Sequence, residues 1–476
     1  MKQPVTCAAL LISAAFAPVT QAGPYTDVFQ PDVFGTNSAL ARRVPGLTDP
    51  SERDCALPAS ELSLAAAVDL ALCRNPVTRE AWAAAHQQAA ALGATESAWL
   101  PSISAQGGES RSIGPHVDTA GQTVNTPQDT ADAAVQLSWT LYDFGARGGH
   151  IRSARHLLDA AAASVDSASQ QTTFNVVQAY YGAVAADATL LATRTTETVA
   201  SHSLEAARAL RTGGVATLAD VLQAETAYDQ AVLTRIQADK AARSAHGTLA
   251  TTLGVTADQP LKLAPNPVPA QVPALTARMA DLMETALKQR PDLAAALAQR
   301  DSAESDITVA RAVGRPSISL AAGRDWNNTT EIPRQSYTQV GVTVTVPIFS
   351  GFSVDYGVRQ AQAALRNQEA KVEQVRLGVS LDVWNAYYAL DSANQQLAET
   401  ATLIETAQNN QDVALGRYQS GVGTIIDLLT AQTAAANARE LRINAELGWQ
   451  VARAQLALAL GHLSGAEPLD LDAAAR

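Results

Sequence analysis

Charge is scarce in this 476-residue chain: Asp, Glu, Lys and Arg make up 17% of it, and aromatic residues only 5%. What charge there is leans acidic, with 46 carboxylates against 34 basic side chains and a net charge of −12. Nucleic-acid binding needs a basic surface, so no nucleic acid is expected as a partner. Three Cys and seven His, scattered along the chain, leave little material for a metal site, and none is expected. There is no G-x-S-x-G, H-E-x-x-H or Walker motif, so neither catalysis nor a cofactor is expected. Disorder is excluded by an abundance, since hydrophobic residues make up 47% of the chain. Long hydrophobic runs are missing once the first 22 residues are set aside. No later run approaches the ~18 apolar residues of a membrane-crossing helix.

Those first 22 residues read as a secretory leader. Lys2 supplies a basic start, residues 8–17 an apolar run, and Thr20-Gln21-Ala22 a small-residue cleavage site. Export into an oxidising compartment would let the two remaining cysteines, Cys55 and Cys73, pair; two free thiols are the alternative. Closing that loop would add roughly 3 kcal/mol in the chain-entropy account. Roughly one residue in five is Ala. Ala is the best helix former and the least bulky, so long, closely packed helices are expected rather than a thick aromatic core.

The chain is two copies of one unit. Arg74-Asn75-Pro76 and Pro101-Ser102-Ile103-Ser104 recur 215 residues later as Gln289-Arg290-Pro291 and Pro316-Ser317-Ile318-Ser319. Further on the offset is 207: Ala179-Tyr180-Tyr181 matches Ala386-Tyr387-Tyr388, and Leu253-Gly254 matches Leu460-Gly461. At that offset Gly214-Val215-Ala216-Thr217 with Asp220 also matches Gly421-Val422-Gly423-Thr424 with Asp427. Copy one therefore carries eight extra residues between Ser104 and Ala179. The copies span 59–254 and 276–463. An extended arm over 23–58 precedes them, a Pro-rich linker over 255–275 joins them, and a tail over 464–476 follows.

Within each copy the expected order is helix, two strands, a very long helix, a tight break and a last helix. The first helix is expected over 62–99 and its counterpart over 276–313. Val135, Leu137, Trp139 and Leu141 alternate with Gln136, Ser138 and Thr140. Val340, Val342, Val344, Val346 and Ile348 likewise alternate with Gly341, Thr343 and Thr345. One apolar and one polar face marks a strand. Weaker strands are expected near 102–111 and 317–327, so each copy holds a hairpin. After Gly145 and Gly351 the pattern is helical for about 65 residues without proline, on the order of 100 Å of helix. The stretch Gly145-Ala146-Arg147-Gly148-Gly149 lacks phosphate-loop spacing and reads as a strand-to-helix corner.

Four strands with an apolar stripe cannot close on themselves. A sheet in hydrocarbon tolerates no open edge, because each unpaired backbone group costs several kcal/mol. Small barrels begin at about eight strands. A membrane role therefore needs several chains in one barrel, with inward Ser, Thr, Gln and Gly lining a polar pore. The competing reading is a soluble, secreted helical adaptor of coiled-coil type, without a pore, whose hairpins cap a rod.

Several features together resemble the TolC family of outer-membrane channels over residues 57–463. They are the duplicated layout, the Leu-Pro-Ser-Ile-Ser strand start, Leu141-Tyr142-Asp143 against Ile348-Phe349-Ser350, and the Gly-Val-x-Thr…Asp-x-Leu break. The resemblance implies a mainly α fold with a β-barrel contribution. In it a homotrimer places four strands per chain in a 12-stranded barrel, continued by a 12-helix tunnel across the periplasm. It implies contact with outer-membrane lipid, a periplasmic adaptor (membrane-fusion) protein, and an inner-membrane transporter, ABC or proton-driven. The Cys55…Cys73-Arg74-Asn75-Pro76 start resembles members serving type I protein secretion, CyaE-like toxin exporters among them. Efflux of small molecules or drugs through the same duct is the alternative.

The breaks at Gly214-Val215-Ala216-Thr217 and Gly421-Val422-Gly423-Thr424 join long helices. Gly supplies the positive φ of a helix end, and Thr217 and Thr424 can cap the helix that follows. As ordinary turns they need no further role; the resemblance makes them the periplasmic tip, where the tunnel narrows and the adaptor docks. Asp220 and Asp427 lie early in the following helices, where the helix dipole favours them. In a trimer each becomes three carboxylates around one axis, which attract cations and line the pore. The resemblance also implies a latch at the tip, in which an aspartate of copy one holds a Tyr and an Arg of copy two. The matching positions are Asp220, Tyr418 and Gly423, so the Arg is missing, and Thr430 stands where a second aspartate can follow Asp427. A loosely latched gate with an Asp220–Tyr418 hydrogen bond is the expectation. Tyr180-Tyr181 and Tyr387-Tyr388 are expected to pack between helices, and Trp139 can mark an interfacial belt.

Overall fold

The computed structural model describes residues 32–44, 47, 49–50, 55–57, 61–117, 121–125, 127–264, 278–329 and 334–463. The expected leader, residues 265–275 of the linker and the tail lie outside them.

The arm is not simply extended. It holds α1 (Thr36–Arg43), capped by the Asp32 carboxylate, which accepts from Thr36 N (2.7 Å) and Asn37 N (2.9 Å). Leu40 and Val44 pack against Trp82, Ala85 and Leu158, and Arg43 pairs with Asp159. Two turns of helix are too short to register as a period. The arm is also joined to copy one by a disulfide between Cys55 and Cys73, with Cα atoms 5.9 Å apart.

The helix expected over 62–99 is in fact two, α2 (Leu64–Arg74) and α3 (Pro76–Glu96), followed by a 3-10 turn at Ser97–Trp99. Pro76 is the cause, because a residue before proline is pushed out of the α region. Asn75 sits at φ −63°, ψ 130° and caps α3, its side chain accepting from Val77 N at 2.8 Å. Copy two breaks at the same place, with α6 (Met279–Gln289) and α7 (Pro291–Ala312) around Arg290 at φ −66°, ψ 123°.

The long helices are α4 (Ala146–Thr212) and α8 (Ser353–Gln419), 67 residues each, hence about 100 Å. Each turns back into a shorter helix that packs along it, α5 (Leu218–Thr252) on α4 and α9 (Ile425–Leu460) on α8. Gly254 and Gly461 end these helices at φ +77° and +79°. A Cβ on Gly254 would fall 2.7 Å from Arg74 O, and one on Gly461 2.9 Å from Gln289 O. Both copies thus seat the end of the last helix on the Pro break of the first.

Two hairpins join in one antiparallel sheet of order β1-β4-β5-β6. Its strands are β1 (Ser102–Ser112), β4 (Gln128–Tyr142), β5 (Ser317–Thr329) and β6 (Gln335–Thr345). Copy one's extra residues lie between β1 and β4, where β2 (His116–Val117) pairs with β3 (Thr123–Val124). β6 stops at Thr345 rather than running to Ile348, since Pro347 has no N–H to give a ladder.

The core is strung along the helices rather than gathered in one place. One cluster holds Val176, Val177, Tyr180, Leu249, Leu253 and Ala454; its counterpart in copy two holds Val383, Leu390, Trp449, Leu456 and Leu460. Tyr180 donates to the carbonyls of Leu62 (3.2 Å) and Ala264 (3.0 Å), fastening the start of the linker to copy one. Tyr180 and Tyr181 are buried and Tyr387 partly so, but Tyr388 is 49% exposed, against the expectation for all four.

Candidate functional site: a two-faced sheet and two helix tips

Paired residues in an antiparallel sheet share a face. One face carries the rows Ile103–Leu137–Ala322–Val340 and Trp139–Leu320–Val342, with Ile318–Val344 beside them. The other carries Ser104–Gln136–Gly323–Gln339, Ser102–Ser138–Ala321–Gly341 and Thr140–Ser319–Thr343. Over these rows one side is apolar across all four strands and the other polar; farther from the helices the first side also carries Arg324 and Thr338 beside Val135. Val340, Val342 and Val344 are exposed, and no strand among the described residues pairs with the outer sides of β1 and β6.

The corner into α4 does more than turn the chain. Arg147 is buried and pairs with Asp143 at 2.9 Å. It also donates to the carbonyls of Ala98, Thr140 and Leu141, and its guanidinium lies 4.2 Å from the Trp99 ring centroid. Trp139 donates its indole N–H to Trp99 O at 2.9 Å. One arginine thereby ties strand, helix and preceding turn together. The stretch is the strand-to-helix corner that its sequence indicates; the signal for the arginine's role was an Asp and an Arg four residues apart across it.

At the far end of the long helices the two tips are built alike. Gly214 and Gly421 have φ +76° and +74°, and the chain re-enters helix at Thr217 and Thr424. Each Thr hydroxyl accepts from the amide of the Asp three residues on, Asp220 N and Asp427 N, both at 3.2 Å. The carboxylates return the bond: Asp220 Oδ2 accepts from Thr217 N (2.7 Å) and Asp427 Oδ2 from Thr424 N (3.3 Å). These are reciprocal capping boxes. Hydrogen bonds from the Thr424 side chain and backbone, helped by the Arg417 charge, hold the exposed Asp427 carboxyl below its ordinary pKa. Val215 and Val422 crown the turns, Val422 at 69% exposure.

The expected latch is not made. Tyr418 is only 4% exposed, packed with Leu204, Val221, Ile425 and Leu428. Its hydroxyl has no hydrogen-bond partner among the described residues. Burial first, and the Asp220 charge second, push its pKa up. Asp220 is near enough to be felt, but its carboxylate is held in its own cap. Gly423 lies against the end of α8, where a Cβ would meet Arg417 Cβ and Tyr418 N at 3.1 Å.

Among the described residues no group of three or more His, Cys, Asp or Glu is placed to hold a metal. No helix among them is long and apolar enough to cross a membrane. A two-faced sheet carried on helices of about 100 Å, in tandem copies, is the build of an outer-membrane channel-tunnel. The chain belongs to the outer membrane efflux protein family, whose model matches residues 67–255 and 282–462, one stretch in each copy. It is 31% identical over 391 residues to protein CyaE of Bordetella pertussis, covering 80% of each chain. It is 28% identical over 340 residues to the pyoverdine export outer membrane protein OpmQ of Pseudomonas aeruginosa, covering 68% of this chain and 70% of that one. The fold is that of the outer-membrane channel OprN, at a TM-score of 0.73 and 22% identity, over 89% of this chain and 98% of that one. The protein is an outer-membrane protein whose long helices extend into the periplasm.

Proposed function

We propose that the protein is the outer-membrane exit duct of a three-part export machine. Three copies close one twelve-stranded barrel above a tunnel of twelve helices. The observation that carries this reading is the pair of open edges, β1 and β6, on a sheet that has an apolar band on one face. Hydrocarbon does not tolerate unpaired backbone, so β6 of one copy pairs with β1 of the next until the ring closes. The same apolar face argues against a soluble adaptor rod. A periplasmic adaptor docks on the tip turns through the exposed Val215 and Val422, and an inner-membrane transporter, ABC or proton-driven, supplies the energy. Three copies of Asp427 line the narrow end and favour cations.

Type I protein secretion is the route we assign. The Cys55…Cys73-Arg74-Asn75-Pro76 start and the 31% identity to CyaE support it. Small-molecule efflux is the second reading, favoured by the relative named for pyoverdine export. Light scattering and negative-stain imaging of the detergent-solubilised protein test the duct. A three-chain tapering tube is expected, and a soluble monomer or dimeric rod would overturn it. Inactivating the protein and measuring protein release beside drug sensitivity separates the two cargo classes.

A further inference from the structure

An unpaired arginine stands at one matched place in both copies. Arg152 and Arg359 are 207 residues apart, each six residues into its long helix, α4 from Ala146 and α8 from Ser353. Both are exposed, and neither makes an ion pair among the described residues. The neighbouring carboxylates Asp143, Glu96 and Asp159 are taken by Arg147, Arg155 and Arg43. Asp355 lies one turn from Arg359, which passes it and lies over the Tyr356 ring, Cζ 5.5 Å from the centroid. Arg152 Nη1 lies 3.6 Å from where a Cβ on Gly148 would stand, also one turn nearer the sheet. Both side chains thus lie back towards the sheet, as side chains near the start of a helix do.

The place is a poor one for a cation. The first turns of a helix carry partial positive charge and favour acids. Yet α4 has no acid in its first turn, and Arg147, Arg152 and Arg155 all fall within its first ten residues, in a chain of net charge −12. Asp159, two turns below Arg152 on the same face, pairs with Arg43 of α1, so this face carries the arm. It is the outer face of the duct, since three copies of α1 would otherwise stand in the bore. Arg152 stays exposed although α3 and α7 both pack on α4, and Arg359 has the matching place on α8.

We propose that Arg152 and Arg359 bind the phosphates of anionic phospholipids in the periplasmic leaflet of the outer membrane, two sites per chain and six around a trimer. The inference rests on the duct reading and adds a lipid collar where barrel meets helices. Depth fixes the occupant. Trp99 and Trp139, both exposed and joined by a hydrogen bond, mark the interface at the foot of the sheet. Six residues of helix descend about 9 Å, and the headgroup layer is about 5–8 Å deep. A guanidinium lying back towards the sheet therefore reaches headgroup level. Between sheet and arginines the exposed side chains are apolar in both copies, Leu141, Tyr142 and Phe144 in one and Ile348, Phe349 and Phe352 in the other. Apolar surface above a planar, bidentate phosphate donor matches acyl chains above a phosphate. An unpaired guanidinium favours lipids of net negative charge over zwitterionic ones.

Lipid titration of the full-length protein in detergent tests the collar, read by melting temperature and by native mass spectrometry. Phosphatidylglycerol should raise the melting temperature and remain bound in the spectra; phosphatidylcholine should do both less, and inorganic phosphate should give no shift. Arg152→Gln with Arg359→Gln should melt like wild type without lipid, lose most of the phosphatidylglycerol shift and retain fewer lipids. Arg152→Lys with Arg359→Lys should keep more of both than the Gln pair. Arg194→Gln, which removes an exposed charge farther down α4, should behave as wild type. Trimers in which the Gln pair holds phosphatidylglycerol as wild type does, or in which Arg194→Gln loses as much, would overturn the collar and leave the duct standing. An equal shift from inorganic phosphate would overturn lipid as the occupant. A protein that is monomeric by mass would overturn the duct reading, and the collar with it.

Discussion

Tyr418 and Asp220 are electrostatic neighbours that do not bond: the phenol is buried with its hydroxyl unpaired, while the carboxylate closes the cap of its own helix on Thr217. A buried hydroxyl without a partner is a cost of about 1–3 kcal/mol. The ring around it packs with Leu204, Ile425 and Leu428. Tyr418→Phe should therefore keep the packing and raise stability by up to about 1 kcal/mol. Basal single-channel conductance in planar bilayers should not change. A rise in conductance would mean that the hydroxyl does latch the tip after all.

The two threonine caps should prove alike in stability and unlike the aspartates in conduction. Thr217→Ala or Thr424→Ala removes the acceptor for the Asp220 or Asp427 amide, at about 1 kcal/mol each. Cation selectivity should be unaffected by either, whereas Asp427→Asn should reduce it, since the exposed carboxylate is what an ion meets. The Asp427 pKa is depressed, so its contribution is fully present above the ordinary Asp value and is lost as pH falls through the depressed one. Faster amide exchange in the first turn of α9 near pH 3 than at pH 7, after correction for intrinsic rates, would show it. Reversal potentials in a salt gradient that are identical for Asp427→Asn and wild type would sink the pore-lining role.

Arg147 is the corner residue most exposed to failure. It serves Asp143 and three carbonyls at once and covers Trp99. A lysine has one point of attachment and cannot reproduce a planar fork. Arg147→Lys should lower the melting temperature in detergent, and Arg147→Met should lower it further, since Asp143 then keeps only the amides of Gly145 and Arg147 and three carbonyls lose their donor, a loss of about 1–3 kcal/mol. Equal melting temperatures for all three proteins would show that the corner holds without it.

The disulfide should tie the arm down. Cys55 and Cys73 stand 18 residues apart in sequence, and a loop of that size is worth about 3 kcal/mol. Cys73→Ser should lower thermal stability and free the α1 segment to protease. Peptide mapping without reductant should recover the two cysteines as one linked pair in wild type; two free thiols would end the assignment.

Features set by local spacing were legible in the sequence. The 207-residue offset, the alternation around Val135 and Val340, and the proline-free stretches of α4 and α8 each follow from residues close together or repeated. What was not legible depended on competition or on distance. Pro76 was visible, yet the apolar period on either side of it hid the break that it makes in α2–α3. That Asp220 begins the helix after the break follows from its spacing, but whether it bonds Tyr418 or its own Thr217 is decided by which group lies nearer in space. Tyr181 and Tyr388 have the same local sequence and opposite exposure, because one face is covered by the chain's own copy two and the other is left open within the chain. No local pattern distinguishes them.

Asp166, midway along the upper part of α4, carries a charge that the fold resists. Burial raises its pKa, and the one hydrogen bond it accepts, from Gln170 Nε2 at 3.2 Å, does not offset that. For an acid whose folded pKa lies above the unfolded value, ionisation opposes folding. The penalty is present at pH values above the raised pKa and fades as pH falls through it towards the ordinary Asp range. Asp166→Asn keeps an oxygen that can accept from Gln170 and removes the charge. The variant should melt higher than wild type at pH 7, and the gain should shrink towards zero near pH 4, where Asp166 is itself becoming neutral. Thermal melts at the two pH values read this directly. A variant that melts lower at pH 7 would mean that the carboxylate has a charged partner in the assembled channel, one supplied by a neighbouring chain.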